Sequence, residues 1–163
     1  MKLLDNSCLS LFILEIPEYE FLEELYYVNE SLNISNQVKN EFECADNENM
    51  LGVFLDKKMI NLKDIDYNPK LKTRFPNLGE GELSIIQWGL KLEGIRSYYC
   101  ILDDFNARKV AKKLNLSISG SIGLIILLKN KNNFSKDKIE DIISSIRKSN
   151  FRISDTILKK LME

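Results

Sequence analysis

Five acidic residues carry most of the chemistry open to this chain: Asp5, Glu41, Glu82 and the adjacent Asp103 and Asp104. Asp5 closes the short apolar run "KLL", and Asp103 and Asp104 follow the longer run "YYCIL". Carboxylates that converge without counter-ions repel one another and must be protonated, paired or bound to a metal. The sequence has no histidine, which removes an imidazole base, Ser-His and Cys-His pairs and histidine metal ligands. Cys8, Cys44 and Cys100 are odd in number and form no CxxC pair. That argues against a disulfide framework or zinc site and for a reducing compartment. An all-oxygen ligand set suits Mg2+ or Mn2+. Two such ions, roughly 4 Å apart, would serve phosphodiester hydrolysis by activating water and stabilising the leaving oxygen.

Such acids act together only if the fold brings them together. "KLLDNS" reads as a strand with an acidic tip, and "SCLSLFILEI" as a buried helix from Ser7, ended by Pro17. "EYEFLEELYY" predicts a second helix. "SLNIS" is a brief strand, and Ser35 or Asn36 caps a helix through "NQVKNEFECA" with Val38, Phe42 and Ala45 on one face and Glu41 at its edge. A helix at "NMLGVFLDK" and a strand at "MINLKDI" precede a polar stretch with Pro69 and Pro76, to which no element is assigned. "LGEGELSIIQWGLKLEG" is helical and stops at Gly94. "SYYCIL" has the continuous apolar character of a strand buried on both faces, and "DDFNARKVAKKLN" turns Ala107, Val110, Ala111 and Leu114 inward along a helix. "LSISGS" is the last strand, and "IGLIILLKNK", "KDKIEDIISSIRKS" and "SDTILKKLM" are helices. Short apolar strands alternating with helices predict an α/β fold with a parallel sheet covered on both faces. In such sheets sites form beyond the carboxyl ends of the strands, so Asp5 and the Asp103/Asp104 pair should reach one edge.

The 163 residues, 44% of them hydrophobic, predict a single domain over 1–163 with a helical segment at about 135–163. A net charge of -1 leaves any nucleic-acid partner to local patches. "IGLIILL" is too short to cross a bilayer, and Asp5 interrupts what a signal peptide keeps apolar, so the expectation is a soluble cytoplasmic protein with no membrane partner.

"LLDNSCL", "ISNQVKNEF", "GEGELSII" and "CILDDFNARKVAKKL", in that order, resemble the PIN-domain superfamily of metal-dependent ribonucleases. The resemblance is to its small prokaryotic branch with GxGE and DDxxAR motifs, and it extends through "SGSIGLIILLKNK" and "SNFRISDTIL". It implies a three-layer α/β/α sandwich with a Rossmann-like central parallel sheet. It implies Asp5, Glu41, Glu82 and Asp104 as catalytic acids, and metal ligation by Asp5, Glu82 and Asp104, with Asp103 taking part. Where relatives often carry T-x-D this chain has Leu102-Asp103-Asp104, so either aspartate can be the primary ligand. Ser7 would orient Asp5, and Arg108 would support the site. The implied cofactors are two Mg2+ or Mn2+ ions, and the implied partners are an RNA substrate, a small antitoxin and a second copy of the chain. Four ionised ligands with two divalent ions sum to zero charge, which would let an acidic protein accept RNA.

Each residue also has a plainer reading. Asp5 can serve the dipole of the helix it precedes, and Glu80 and Glu82 lie in a first turn where acids stabilise without function. Glu41 alone reads as a solvated helix residue. Asp103 and Asp104 divide naturally into one cap and one ligand. Arg108 either pairs with Asp104 one helical turn away or contacts phosphate. Lys109, Lys112 and Lys113 form a solvated face, and Gly120 and Gly123 a strand-to-helix turn. The competing function is a non-catalytic RNA- or protein-binding module with residual acids. An aspartyl phosphatase would want D-x-D where the chain has Asp5-Asn6-Ser7.

Overall fold

A central sheet is set by five short runs in which at least every second residue is apolar. The computed structural model describes every residue of the chain except Asn47 and Tyr67. Its strands are β1 (Lys2–Leu4), β2 (Leu32–Ser35), β3 (Ile60–Lys63), β4 (Tyr99–Ile101) and β5 (Ile118–Ser119). All neighbouring pairs are parallel and the order is β3-β2-β1-β4-β5. Leu3, Leu4, Leu32, Ile34, Cys100 and Ile101 are fully buried, as strands covered on both faces require. β3 sits at the edge, and only Ile60 of its four residues is buried. Leu4 pairs with Ile101, and the Asp5 N–H donates to the Ile101 carbonyl, so the ends of β1 and β4 are in register.

The chain runs outward from β1 to β2 and β3, then returns to β4 on the other side of β1. The reversal puts the topological switch point between β1 and β4, where open α/β sheets form their crevice.

Helices cover both faces and complete a three-layer α/β/α sandwich. They are α1 (Asn6–Leu9), α2 (Phe21–Tyr27), α3 (Asn36–Glu43), α4 (Met50–Asp56), α5 (Pro69–Arg74), α6 (Glu80–Leu92), α7 (Phe105–Lys113), α8 (Ser121–Asn132), α9 (Lys136–Lys148) and α10 (Asp155–Lys159). α6 packs between α3 and α7, and α2 packs on α8. α9 buries Ile139, Ile142, Ile143 and Ile146, the stripe its period predicts.

Two segments depart from the sequence expectation. The helix expected through "SCLSLFILEI" starts one residue earlier, at Asn6, and from Ser10 to Glu15 winds as a π-helix, with Ile16 N donating to the Leu11 carbonyl. The wider winding buries Leu11, Phe12 and Ile13 in succession, and π segments recur beside functional sites. The polar stretch around Pro69 forms α5, because Pro69 occupies the first turn and the Asn68 side chain accepts the Lys70 N–H.

Candidate functional site

The switch point places Asp5, at the end of β1, beside the β4 exit that carries Asp103 and Asp104. α3 and α6 bring Glu41 and Glu82 to the same region: Asp5 senses the charges of Glu82, Glu41 and Asp103, and Glu82 those of Asp104 and Glu41. All five acids singled out in the sequence therefore face a common neighbourhood. They are held there in two different ways.

Four of the five are tied to backbone amides at helix starts. Glu82 accepts the Gly79 N–H at 2.9 Å, the one bond of a capping box that a glycine N-cap leaves possible on α6. Glu41 reaches across from α3 and accepts the Gly81 N–H at 2.8 Å. A Cβ at position 81 would collide with the Glu41 carboxylate, lying 3.0 Å from its carbon, so the second glycine of the "GEGE" run is needed for close approach. Asp104 caps its own helix, accepting the Ala107 N–H at 2.8 Å. Asp103 turns the other way and accepts the Ser121 N–H at 2.9 Å and the Ser121 hydroxyl at 2.5 Å, at the start of α8. Gly120 lets this happen, because a Cβ there would sit 2.8 Å from the Asp103 carboxylate.

Asp5 is the exception. It is buried, it precedes α1 without capping it, and its Oδ1 has no hydrogen-bond partner among the described residues, the Ser7 hydroxyl included. Burial, with the charge of Glu82 next, pushes its pKa from an ordinary 3.8 up to about 7, against a smaller opposing effect of the Asn6 N–H. Glu82 is raised too, by burial first, while the Gly79 N–H opposes the shift. Asp103 is raised by burial, and its bonds to Ser121 and the charge of Arg108 hold it back.

Arg108 reaches the acidic cluster through its charge, which acts on Asp103. Its guanidinium donates to the Leu102 and Ser119 carbonyls, at 2.7 and 2.8 Å, and so locks the carboxyl ends of β4 and β5 together beside Asp103. No ion pair with Asp104 forms among the described residues. A buried Ser35–Ser84 hydroxyl pair at 2.6 Å similarly ties the end of β2 to α6, with Ser84 donating to the Gly81 carbonyl. This link joins sites 49 residues apart and has no local sequence signal.

Cys8, Cys44 and Cys100 are free, and burial pushes the Cys8 and Cys100 thiols up, the latter to about 12. The two buried thiols are inert at neutral pH. Trp88 and Tyr98 are core residues.

A groove of about 530 Å3 opens beside the acids, between Ser7, Ser10, Asp103 and Asp104 on one wall and Asn150 to Arg152 on the other. Glu15 fixes the second wall by accepting the Asn150 N–H and side-chain amide at 2.9 and 3.3 Å. The tail's part in the groove was not legible in the sequence, because it depends on contacts 135 residues apart.

Among the described residues no three acids or cysteines stand close enough together to hold a metal ion as they are oriented here. The backbone amides that take up Glu41, Glu82, Asp103 and Asp104 account for that spread. The buried, unpartnered Asp5 oxygen, within the field of Glu82, Glu41 and Asp103, is nevertheless the electrostatic setting that a divalent cation would satisfy.

No described helix is long and apolar enough to cross a membrane. Neither a curated protein nor a solved structure matches the chain significantly. A family model does match, over residues 3–163: DUF3368, described as a PIN domain.

Proposed function

The chain belongs to the PIN-domain family, whose members are generally nucleases that use divalent metals, and from that premise we propose that it is a Mg2+- or Mn2+-dependent endoribonuclease. The observation that carries the proposal is Asp5: a buried carboxylate oxygen without a partner, at the switch point of the sheet, within the field of other acids. An isolated charge there is costly, and nothing in the fold's own stability calls for one.

In this reading Asp5, Glu82, Asp103 and Asp104 hold the cations, two in number, and Glu41 completes the acidic lining. A bound divalent cation supplies charge stabilisation at the scissile phosphate and acidifies water for attack. The chain's own residues do the rest. α6, α7 and α8 aim their N-terminal ends at the acids, so their dipoles favour both the carboxylates and an approaching phosphate. Arg108 fixes the two strand ends from which Asp103 projects. A cation held there would favour the ionised form of Asp5, because its opposite charge offsets the raising effects of burial and of Glu82.

The test is calorimetric titration with Mn2+ of the wild type and Asp5→Asn, followed by cleavage of a mixed RNA pool in the same samples. The proposal expects binding and cleavage in the wild type and loss of both in the variant. Undiminished cleavage by Asp5→Asn would refute it.

A toxin neutralised by a small antitoxin, acting as a homodimer in the cytoplasm, is the physiological setting the family resemblance supports. Its test is growth arrest on expression, relieved by a co-expressed neighbouring reading frame. The competing reading, a non-catalytic RNA- or protein-binding module, draws on the spread of the acids among the described residues. It expects no Mn2+ binding.

A further inference from the structure

Resting on the nuclease reading of the acidic site, the geometry points to a subsite for one unpaired nucleotide beside it, built from Phe105 and Arg152. Phe105 directly follows Asp104 and is 75% exposed, although it opens a helix whose inward face is filled by Ala107 and Ala111. A phenyl ring left in water at that position contributes nothing to the core, and its burial against a ligand would recover apolar area. The ring is a shared wall. It lines the 530 Å3 groove that holds Asp103 and Asp104, and also a second groove of about 590 Å3 that runs past Gly120 and Ile153.

Arg152 lines both grooves as well. It is exposed, and none of the ion pairs among the described residues involves it, so its guanidinium is available to an anion. The Glu15–Asn150 bonds hold the backbone two residues before it, so its position along the groove is set in advance.

An acidic wall, an exposed aromatic face next to it and an uncommitted arginine opposite match the parts of a nucleotide. The base stacks on Phe105, a phosphate oxygen pairs with Arg152, and the neighbouring phosphodiester lies toward the acids. A base can offer its face to Phe105 only when it is out of a duplex, so the subsite selects single-stranded RNA or an unpaired loop over paired RNA. The ring lacks hydrogen-bonding groups, so this selection is by strandedness and not by base identity.

The experiment compares wild type, Phe105→Ala, Phe105→Trp and Arg152→Ala with Mn2+ on a labelled 12-residue single strand and on the same strand in a duplex. It measures KM and kcat, and anisotropy binding in an Asp5→Asn background. Phe105→Ala is expected to raise KM and Kd for the single strand about 10-fold, and Phe105→Trp to restore them. Arg152→Ala is expected to weaken binding and to lower the salt dependence by about one phosphate contact. Wild type should prefer the single strand, and Phe105→Ala should narrow that preference. Both side chains are exposed, and thermal melts confirm that the variants fold. If the wild type cuts RNA and the variants keep its KM and strand preference, the subsite alone is wrong and the ring faces a protein partner. If the wild type neither binds nor cuts RNA, the nuclease reading fails and the subsite fails with it.

Discussion

Adjacent strands β1 and β4 each end in aspartate, yet the fold treats the two ends in opposite ways. At the end of β4, Asp103 and Asp104 each cap a helix, α8 and α7 respectively, and both accept backbone N–H groups. At the end of β1, Asp5 is the more deeply buried, yet it caps nothing and leaves Oδ1 without a partner among the described residues. The difference teaches how to separate an acid that builds structure from one that the structure tolerates. The β4 pair is tied into the fold by hydrogen bonds of its own; Asp5 lacks that tie at Oδ1 and costs stability once it ionises, and a ligand would have to offset that cost.

The comparison is broken most directly by pH. Folded Asp5 keeps its proton up to about pH 7, whereas in the unfolded chain it loses it near its ordinary 3.8. Between those values the folded state binds more protons, so metal-free stability falls as pH rises and levels off above pH 7. The shift corresponds to roughly 4 kcal/mol across that window. Asp103, also raised, acts with the same sign. Denaturant melts from pH 4 to 8 in a chelator should show this slope, shallower in Asp5→Asn, where raised Glu82 and Asp103 remain, and Asp5→Asn should be the more stable protein at pH 7. A flat profile for wild type would mean that Asp5 has a partner after all.

The next effect is functional. Asp5→Asn should reduce Mn2+ affinity and RNA cleavage by at least about 100-fold, the upper range for disturbing a metal site's support, while the protein remains folded. Loss of activity together with raised metal-free stability is the signature that separates Asp5 from a structural acid.

Asp103→Ala should do the reverse on stability, lowering it by about 2 kcal/mol because the start of α8 loses two hydrogen bonds and its Ser121 hydroxyl is left buried. Urea unfolding at pH 7 measures it.

The smallest effect sharpens the β4 side. Asp104→Asn keeps a side-chain acceptor for the Ala107 N–H and should change stability by only a few tenths of a kcal/mol, whereas Asp104→Ala should cost about 1 kcal/mol. Cleavage lost in both variants would assign Asp104 a role in charge; cleavage lost only in the alanine variant would assign it to the cap.

Much of the site could be read from the chain because its signals are local. Apolar runs gave the strands, Pro and Gly punctuated the helices, and the strand-end position of Asp5 and Asp103 followed from both. What stayed hidden was carried by partners distant in sequence. One of Asp103 and Asp104 reads as a cap for the helix they adjoin; Asp104 takes that place, while Asp103 accepts the first N–H of a helix that begins 18 residues later. Arg108 reads as a partner for Asp104 at helical spacing, but two strand-end carbonyls offer its guanidinium fixed acceptors. Phe105 reads as one apolar residue among many until its exposure is known.

By itself, then, the sequence determined which residues could do chemistry and which elements would carry them: acids without histidine, on an alternating strand–helix pattern whose periods follow from backbone geometry. Only the tertiary structure decided which strand lies beside which, and therefore that β1 and β4 flank the switch point. It also decided how each acid's hydrogen-bonding capacity is filled. Strand order and hydrogen-bond partners are set by packing between segments far apart in the chain, and no local pattern encodes which buried oxygen is left alone.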